Sequence, residues 1–345
     1  MHAPSDPALD SMARALPKVL LHEHLDGGLR VATLLQLLQD RGLTAPAPDA
    51  SGLAEWFDAN AHAGSLEKYL EGFALTVAAM ASPAALRRVA FEAAEDSRAD
   101  GAVLAEFRIA PLLFESHGLS GEATVEALLQ GLRDSALPCG LIVCAMRHLP
   151  AQQSARAARL ALKYQGQGVI GFDLAGAEFG HPPSEHRAAL KLVRDAGLPL
   201  TLHAGEADAA ERVLQAGRLG ASRIGHGVRL VDALQGSARA ALVDEVRAMG
   251  LHLEVCATSN VHTGAAVSIA AHPITALWQA GVSLSYHTDN RLMSCITHSF
   301  EAAELLRHTP LTVADLLAMA RQAAAHSFLP AAQREAALRA IDAAA

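Results

Sequence analysis

Short runs of apolar and β-branched residues recur along the chain, each ending in glycine or polar residues. Each is followed by a stretch whose apolar positions repeat every three or four residues, the mark of an amphipathic helix. The runs occupy 19–24, 103–109, 141–146, 169–174, 200–203, 223–226, 251–255 and 282–286. Between them, Leu86, Val89, Ala90 and Ala93 share one helical face, and 156–164, 186–196 and 238–249 read as surface helices. Gly197, Gly250 and Gly281 fall where such helices must stop before the next strand. Eight strand–helix alternations predict an α/β fold, a closed parallel (β/α)₈ TIM-type barrel. A doubly wound open sheet alternates in the same way, but no GxGxxG follows the first strand, which weakens its dinucleotide-binding form.

One connection is too long for a single crossover helix. Residues 25–102 separate the first two strands, and Trp56, Phe57, Leu66, Tyr69, Leu70 and Phe73 concentrate there at helical spacing. Two readings stay open: an extra helical layer packed on itself, or a lid over the barrel mouth, where loops after barrel strands emerge. The expectation is one domain, 1–345, with a helical lid inserted at about 29–98.

Composition narrows the picture. The 345 residues suit one large barrel, and 51% are hydrophobic, enough for a substantial core. A net charge of −8 without a lysine or arginine run argues against nucleic acid or an acidic membrane surface as partner. The first eighteen residues hold Asp6, Asp10 and three prolines but no apolar core, so they do not read as a signal peptide. No apolar stretch approaches the roughly 18 residues of a membrane-spanning helix. Cys139, Cys144, Cys256 and Cys295 form no CxxC pair and read as buried free thiols of a reducing cytosol, so a cytoplasmic protein is expected.

The candidate chemistry lies at the strand ends. His22 and His24, at i and i+2 on a strand, point to the same side and can grip one metal ion. The fourth strand leads into 173–178, the fifth delivers His203 and Glu206, the sixth His226, and the eighth Asp289 and Asn290. His22, His24, His203 and Asp289 together offer three nitrogens and one oxygen, a donor set that suits catalytic zinc with a position left for water. His252 and His287 lie off this strand-end pattern.

The segments 21–27 (Leu-His-Glu-His-Leu-Asp-Gly), 172–176, 203–206, 225–227 and 288–289, in this order, resemble the adenosine deaminase family of metal-dependent amidohydrolases, and 256–260 resembles its segment after the seventh strand. The resemblance runs from about Lys18 beyond Ser327. It implies one zinc ion per chain on His22, His24, His203 and Asp289, and hydrolytic deamination of adenosine or 2′-deoxyadenosine in purine salvage. Zinc lowers the pKa of bound water toward about 7, but C6 of an aromatic purine is a poor electrophile until N1 is protonated. Glu206 matches the family's proton donor to N1, a task that burial of its carboxyl favours. His226 matches the residue that orients the nucleophile, and Asp289 also accepts the water's proton. By the same resemblance Asp26 holds the ribose 5′-hydroxyl near His24, and the Gly176 backbone donates to purine N3.

Asn290 departs from the best-known members, which carry a second aspartate there to contact N7. N7 only accepts hydrogen bonds, and an asparagine amide donates without first needing a proton. The segment 288–294 resembles a bacterial branch of the family. Another 6-aminopurine, adenine or aminodeoxyfutalosine, is the alternative substrate. A non-catalytic binding module would be expected to lack a ligand or the proton donor, and all are present. Asp173 and Glu178 match no role and read as supporting residues, and Glu23, on the other face of its strand, reads as scaffold. The sequence carries no signal for oligomeric state.

Overall fold

The computed structural model describes residues 6–62, 66–234 and 237–344, with the side chains of 66–71 and 237–240 outside that description. Its strands are β1 (Lys18–His24), β2 (Ala102–Ile109), β3 (Cys139–Met146), β4 (Val169–Ala175), β5 (Leu200–Ala204), β6 (Arg223–His226), β7 (His252–Val255) and β8 (Leu284–Tyr286). They pair in sequence order, every neighbour parallel. Asp289, just beyond β8, closes the ring onto β1: His24 N–H donates to its carbonyl at 2.8 Å, and its own N–H donates to the His22 carbonyl at 2.9 Å. The barrel and its eight strands are those expected, within two residues at each strand end.

The helices 186–196 and 238–249 appear as Arg187–Asp195 and Ser237–Ala248, and Gly197, Gly250 and Gly281 take positive φ. The helix expected at 156–164 is longer, Ala151–Lys163. Its first turn is Ala-Gln-Gln-Ser, which lacks large apolar residues and so left no periodic signal, yet it follows Pro150 in an extended conformation that suits a helix start.

Between β1 and β2 lie the helices Val31–Asp40, Ala50–Ala61, Leu66–Met80 and Pro83–Ala99. The last is the ordinary crossover helix, burying Leu86, Val89, Ala90 and Ala93 against the barrel; the first three are additional. Phe57 is buried in the continuous core and Trp56 half-buried against it, whereas Phe73 lines the cavity at the barrel mouth. The side chains of Leu66, Tyr69 and Leu70 lie outside the described residues.

Alternation along the strands sends Phe107, Phe172, Leu202, Ile224 and Leu253 outward beneath the helices, all fully buried. The inward positions hold a column of charge where a barrel of this type usually stacks aliphatic layers. Glu106 meets Arg223 at 2.7 Å, Arg223 meets Glu254 at 2.6 Å, Glu254 meets Arg108 at 2.7 Å, and Arg108 meets Asp173 at 2.9 Å. All five are fully buried, so each charge depends on its neighbours. The segment after the helix Val313–His326 seals the bottom: Ser327 Oγ donates to Glu106 at 2.6 Å, and the Phe328 ring stacks 3.6 Å from the Arg223 guanidinium.

Of the cysteines, Cys144 and Cys256 are buried as expected, but Cys139 is half-buried and Cys295 exposed. Cys295 sits in the loop beyond β8 with φ +53°, outside the barrel core. Among the described residues no helix is long and apolar enough to cross a membrane.

Candidate metal and active site

Four potential ligand atoms, from His22, His24, His203 and Asp289, lie within 4.8 Å of one another. Asp289 Oδ1 is 3.3 Å from His22 Nε2 and 3.5 Å from His24 Nε2, and His24 Nε2 is 3.3 Å from His203 Nε2. His22 Nδ1 donates to Glu254 Oε2 at 2.8 Å and His203 Nδ1 donates to Asp173 Oδ2 at 3.0 Å. A neutral imidazole that donates through Nδ1 presents a lone pair at Nε2, so these rings aim acceptors at one point. His22 Nε2 is buried there, and among the described residues it has no hydrogen-bond partner. Burial, opposed in part by Asp289, holds His24 well below the usual histidine pKa. For Asp289 burial acts the other way, but His22 and His226 overcome it and keep the carboxyl well below its usual range. Three imidazole nitrogens around a carboxylate fit a zinc-type cation.

The supports of this group come from inside the barrel. Burial alone would raise Asp173 and Glu254; His203 and Arg108 on the first, and Arg108 and Arg223 on the second, hold both well below the usual carboxylate range. Asp289 adopts φ +61°, an uncommon conformation for a non-glycine residue that the closing hydrogen bonds to β1 enforce. Ser259 Oγ donates to its Oδ2 at 2.5 Å, leaving Oδ1 toward the histidines. Glu23 is buried on the other face of β1 and accepts from Thr288 Oγ1 and from Arg291 Nε at 2.8 Å, tying the Asp289 loop to β1.

Glu206 follows β5 at the cavity wall. Its Oε1 accepts from Asn260 Nδ2 at 3.1 Å and Thr263 Oγ1 at 3.0 Å, and its Oε2 lies 3.5 Å from His226 Nε2. His226, at φ +63°, sits between Gly225 and Gly227. A Cβ at Gly225 would come within 3.0 Å of the His22 ring and 3.2 Å of His203, so glycine permits the close approach of β6 to the ligands. Glu178 accepts the backbone N–H groups of Gly205, Glu206, Ala207 and Asp208 at 2.6–3.1 Å, holding the turn that carries Glu206. Glu178→Ala is expected to lower unfolding stability by at least ~1–3 kcal/mol, the cost of leaving a buried donor unpaired, and to reduce kcat/KM. Glu178→Gln, which keeps an acceptor, should fall between; urea unfolding and steady-state kinetics check both.

The cavity has a volume of about 360 Å³. His24, Asp26, Gly176, Glu206, His226 and Asn290 all line it, with His203 and Asp289, while His22 lies beneath. Asp26 is buried, its Oδ1 has no hydrogen-bond partner among the described residues, and burial followed by nearby Asp289 pushes its carboxyl up to about 7. Gly176 has φ +90°, and a Cβ there would lie 2.8 Å from His148 Nδ1, so only glycine brings its backbone to the cavity in this form. His252 and His287 stand apart from the metal group, joined to each other through Ser285 at 2.7 Å on either side.

Sequence reasoning gave no role to Arg108, Glu254, Asn260 or Thr263. The first two carried a readable signal, a charge in an otherwise apolar strand, with Glu106 and Arg108 two apart and hence on one face. Asn260 lies in the segment 256–260 that resembles the family but received no role there, and Thr263 carried no signal; their contacts with Glu206 depend on the packing of the helix Ala257–His262 against the turn after β5.

The profile of the adenosine deaminase family matches residues 17–344. An adenosine deaminase of Mycobacterium tuberculosis (strain ATCC 25618 / H37Rv) is 43% identical over 337 residues, covering 93% of this chain and 92% of that one. Among solved structures, an Arabidopsis N6-mAMP deaminase matches with a TM-score of 0.83 at 25% identity, covering 96% of this chain and 99% of that one. An adenine deaminase from Arthrobacter aurescens is similar in fold, with a TM-score of 0.85 at 22% identity and coverage of 95% and 99%. This chain belongs to the adenosine deaminase family.

Proposed function

We propose that the chain hydrolyses adenosine and 2′-deoxyadenosine to their inosine counterparts and ammonia, in cytoplasmic purine salvage, with one zinc ion on His22, His24, His203 and Asp289. What carries the reading is the convergence of that donor set with Glu206 and His226 at one barrel mouth, in a chain 43% identical to an adenosine deaminase. Bound zinc would supply a water-derived nucleophile at neutral pH.

The remaining work falls to the chain. Two donors occupy Glu206 Oε1, so the proton it delivers to purine N1 travels from Oε2. Protonation at N1 makes C6 electrophilic, and attack there gives a neutral adduct. Asp289 takes the nucleophile's proton, which ends on the departing amine. His226 orients the attacking oxygen, Gly176 N–H donates to N3, and the Asn290 amide donates to N7. Asp26 holds the 5′-hydroxyl. The added helices Val31–Asp40, Ala50–Ala61 and Leu66–Met80, the part of the expected 29–98 insertion that remains once the crossover helix Pro83–Ala99 is set aside, form a lid within a single domain 1–345, with Phe73 reaching the cavity.

Another 6-aminopurine, adenine or aminodeoxyfutalosine, is the second reading. Asp26 speaks for a sugar hydroxyl, which free adenine lacks. Asp26, Glu178, Glu206 and Asp289 against Arg229 in the cavity lining disfavour a phosphate. The test is ammonia release from adenosine, 2′-deoxyadenosine, adenine and AMP. Turnover of both nucleosides is expected, and activity on adenine with none on adenosine overturns the proposal. His203→Ala should weaken metal binding by more than about 100-fold, the upper end for loss of an outer partner, as measured by chelator competition.

A further inference from the structure

A chain of hydrogen bonds runs from a backbone amide to His226. Ile274 N–H donates to His272 Nδ1 at 3.1 Å. A backbone N–H only donates, so Nδ1 carries no hydrogen and the neutral ring holds its hydrogen on Nε2. That Nε2 lies 3.3 Å from Asn260 Oδ1, which therefore accepts, and the amide is set with its nitrogen on the far side. There Nδ2 is 3.1 Å from Glu206 Oε1 and 3.1 Å from His226 Nδ1, one hydrogen for each. The flipped amide would face an oxygen to the Glu206 carboxylate and an N–H to the His272 N–H, two repulsive contacts at once. Asn260, His226 and His272 are all buried, so water does not relieve such a mismatch. Burial, with His226 adding to it, also lowers His272 to about 3, which keeps its ring neutral.

We propose that Asn260, itself set by His272, is a positioning residue that fixes His226 as the Nε2–H tautomer, so that His226 acts as a hydrogen-bond donor and not as the base. With Nδ1 accepting from Asn260 and Nε2 carrying hydrogen, the neutral ring has no lone pair left for the nucleophile's proton. Nε2 faces Glu206 Oε2 at 3.5 Å, and the ring centre stands 5.0 Å from that of His22. The left-handed backbone places the ring and Asn260 places its hydrogen. The base role is thereby left to Asp289. The kinetic consequence rests on the deaminase reading; the tautomer does not.

The direct test is ¹⁵N NMR of the zinc-loaded protein with labelled histidine at neutral pH, with His226 assigned by its loss in His226→Gln. The expected pattern is a protonated Nε2 and a bare Nδ1. Asn260→Asp exchanges the donor for an acceptor, so the hydrogen should move to Nδ1 and kcat should fall about 10²-fold or more with KM little changed. His272→Gln, which keeps a donor to Asn260 Oδ1, should recover most of the kcat lost in His272→Leu. A protonated Nδ1 in the parent protein, or an unchanged pattern in Asn260→Asp, overturns the proposal. Should Asn260→Asp fail to fold, equal losses in the two His272 variants overturn it. The expected tautomer together with no turnover of adenosine supports the positioning and overturns the deaminase reading, so the two failures are distinct.

Discussion

Replacing Glu206 by glutamine is expected to lower kcat by about 10²–10⁴-fold, the range for a lost general acid, while the metal stays in place. The substitution is nearly isosteric, and an amide oxygen at the Oε1 position still accepts from Asn260 and Thr263. The backbone N–H of residue 206 still donates to Glu178, so the turn is held as before. What disappears is a transferable proton at the Oε2 position. The amide can donate a hydrogen bond to N1 without giving the proton up, so KM should move far less than kcat. Elemental analysis of the purified variant should match the parent protein, since Glu206 lies outside the ligand group. Metal loss in this variant would show the roles to be wrongly divided.

Arg108→Met should have the second large effect, and at a distance from substrate. The guanidinium bridges Asp173 at 2.9 Å and Glu254 at 2.7 Å, and also donates to the Leu21 carbonyl at 2.7 Å. Each of those carboxylates holds the Nδ1–H of a ligand histidine. Methionine fills much of the volume but leaves two buried carboxylates without their shared cation. Breaking a buried ion pair on one side costs about 3–5 kcal/mol. One or both carboxyls would then take up a proton and hold His22 and His203 less firmly, and loss of outer partners typically weakens metal binding about 10–100-fold. Arg108→Lys should recover only part, because a single ammonium cannot span both carboxylates as the guanidinium fork does. Urea unfolding and chelator competition read the two effects separately; metal affinity equal to that of the parent protein contradicts the assignment.

The strands were legible because each is a compact apolar run that stops at a polar or glycine residue, and the barrel followed from their number and alternation with helices. The metal group was legible for a related reason. His22 and His24 stand two apart on a strand, and His203 and Asp289 occupy equivalent strand ends, so the fold itself brings them to one mouth. The interior column was not read, because strand recognition weighs average apolarity and passes over single charges such as Arg108, Arg223 and Glu254. Glu178 was placed no further than a supporting residue, since its partners lie 27–30 positions away on the next strand's loop. The start of the helix at Ala151 was missed because small and polar residues leave no periodic mark, whereas packing in the folded chain buries Ser154, Ala157 and Ala158 on one face.

Titration of the metal-free protein with zinc, with ammonia release from adenosine followed at each addition, tests the central claim most directly. Activity should be absent at the start, rise in proportion to added zinc, and level off at one ion per chain. Full activity without metal, a plateau reached only at two ions per chain, or a saturated site that releases no ammonia from adenosine would contradict it.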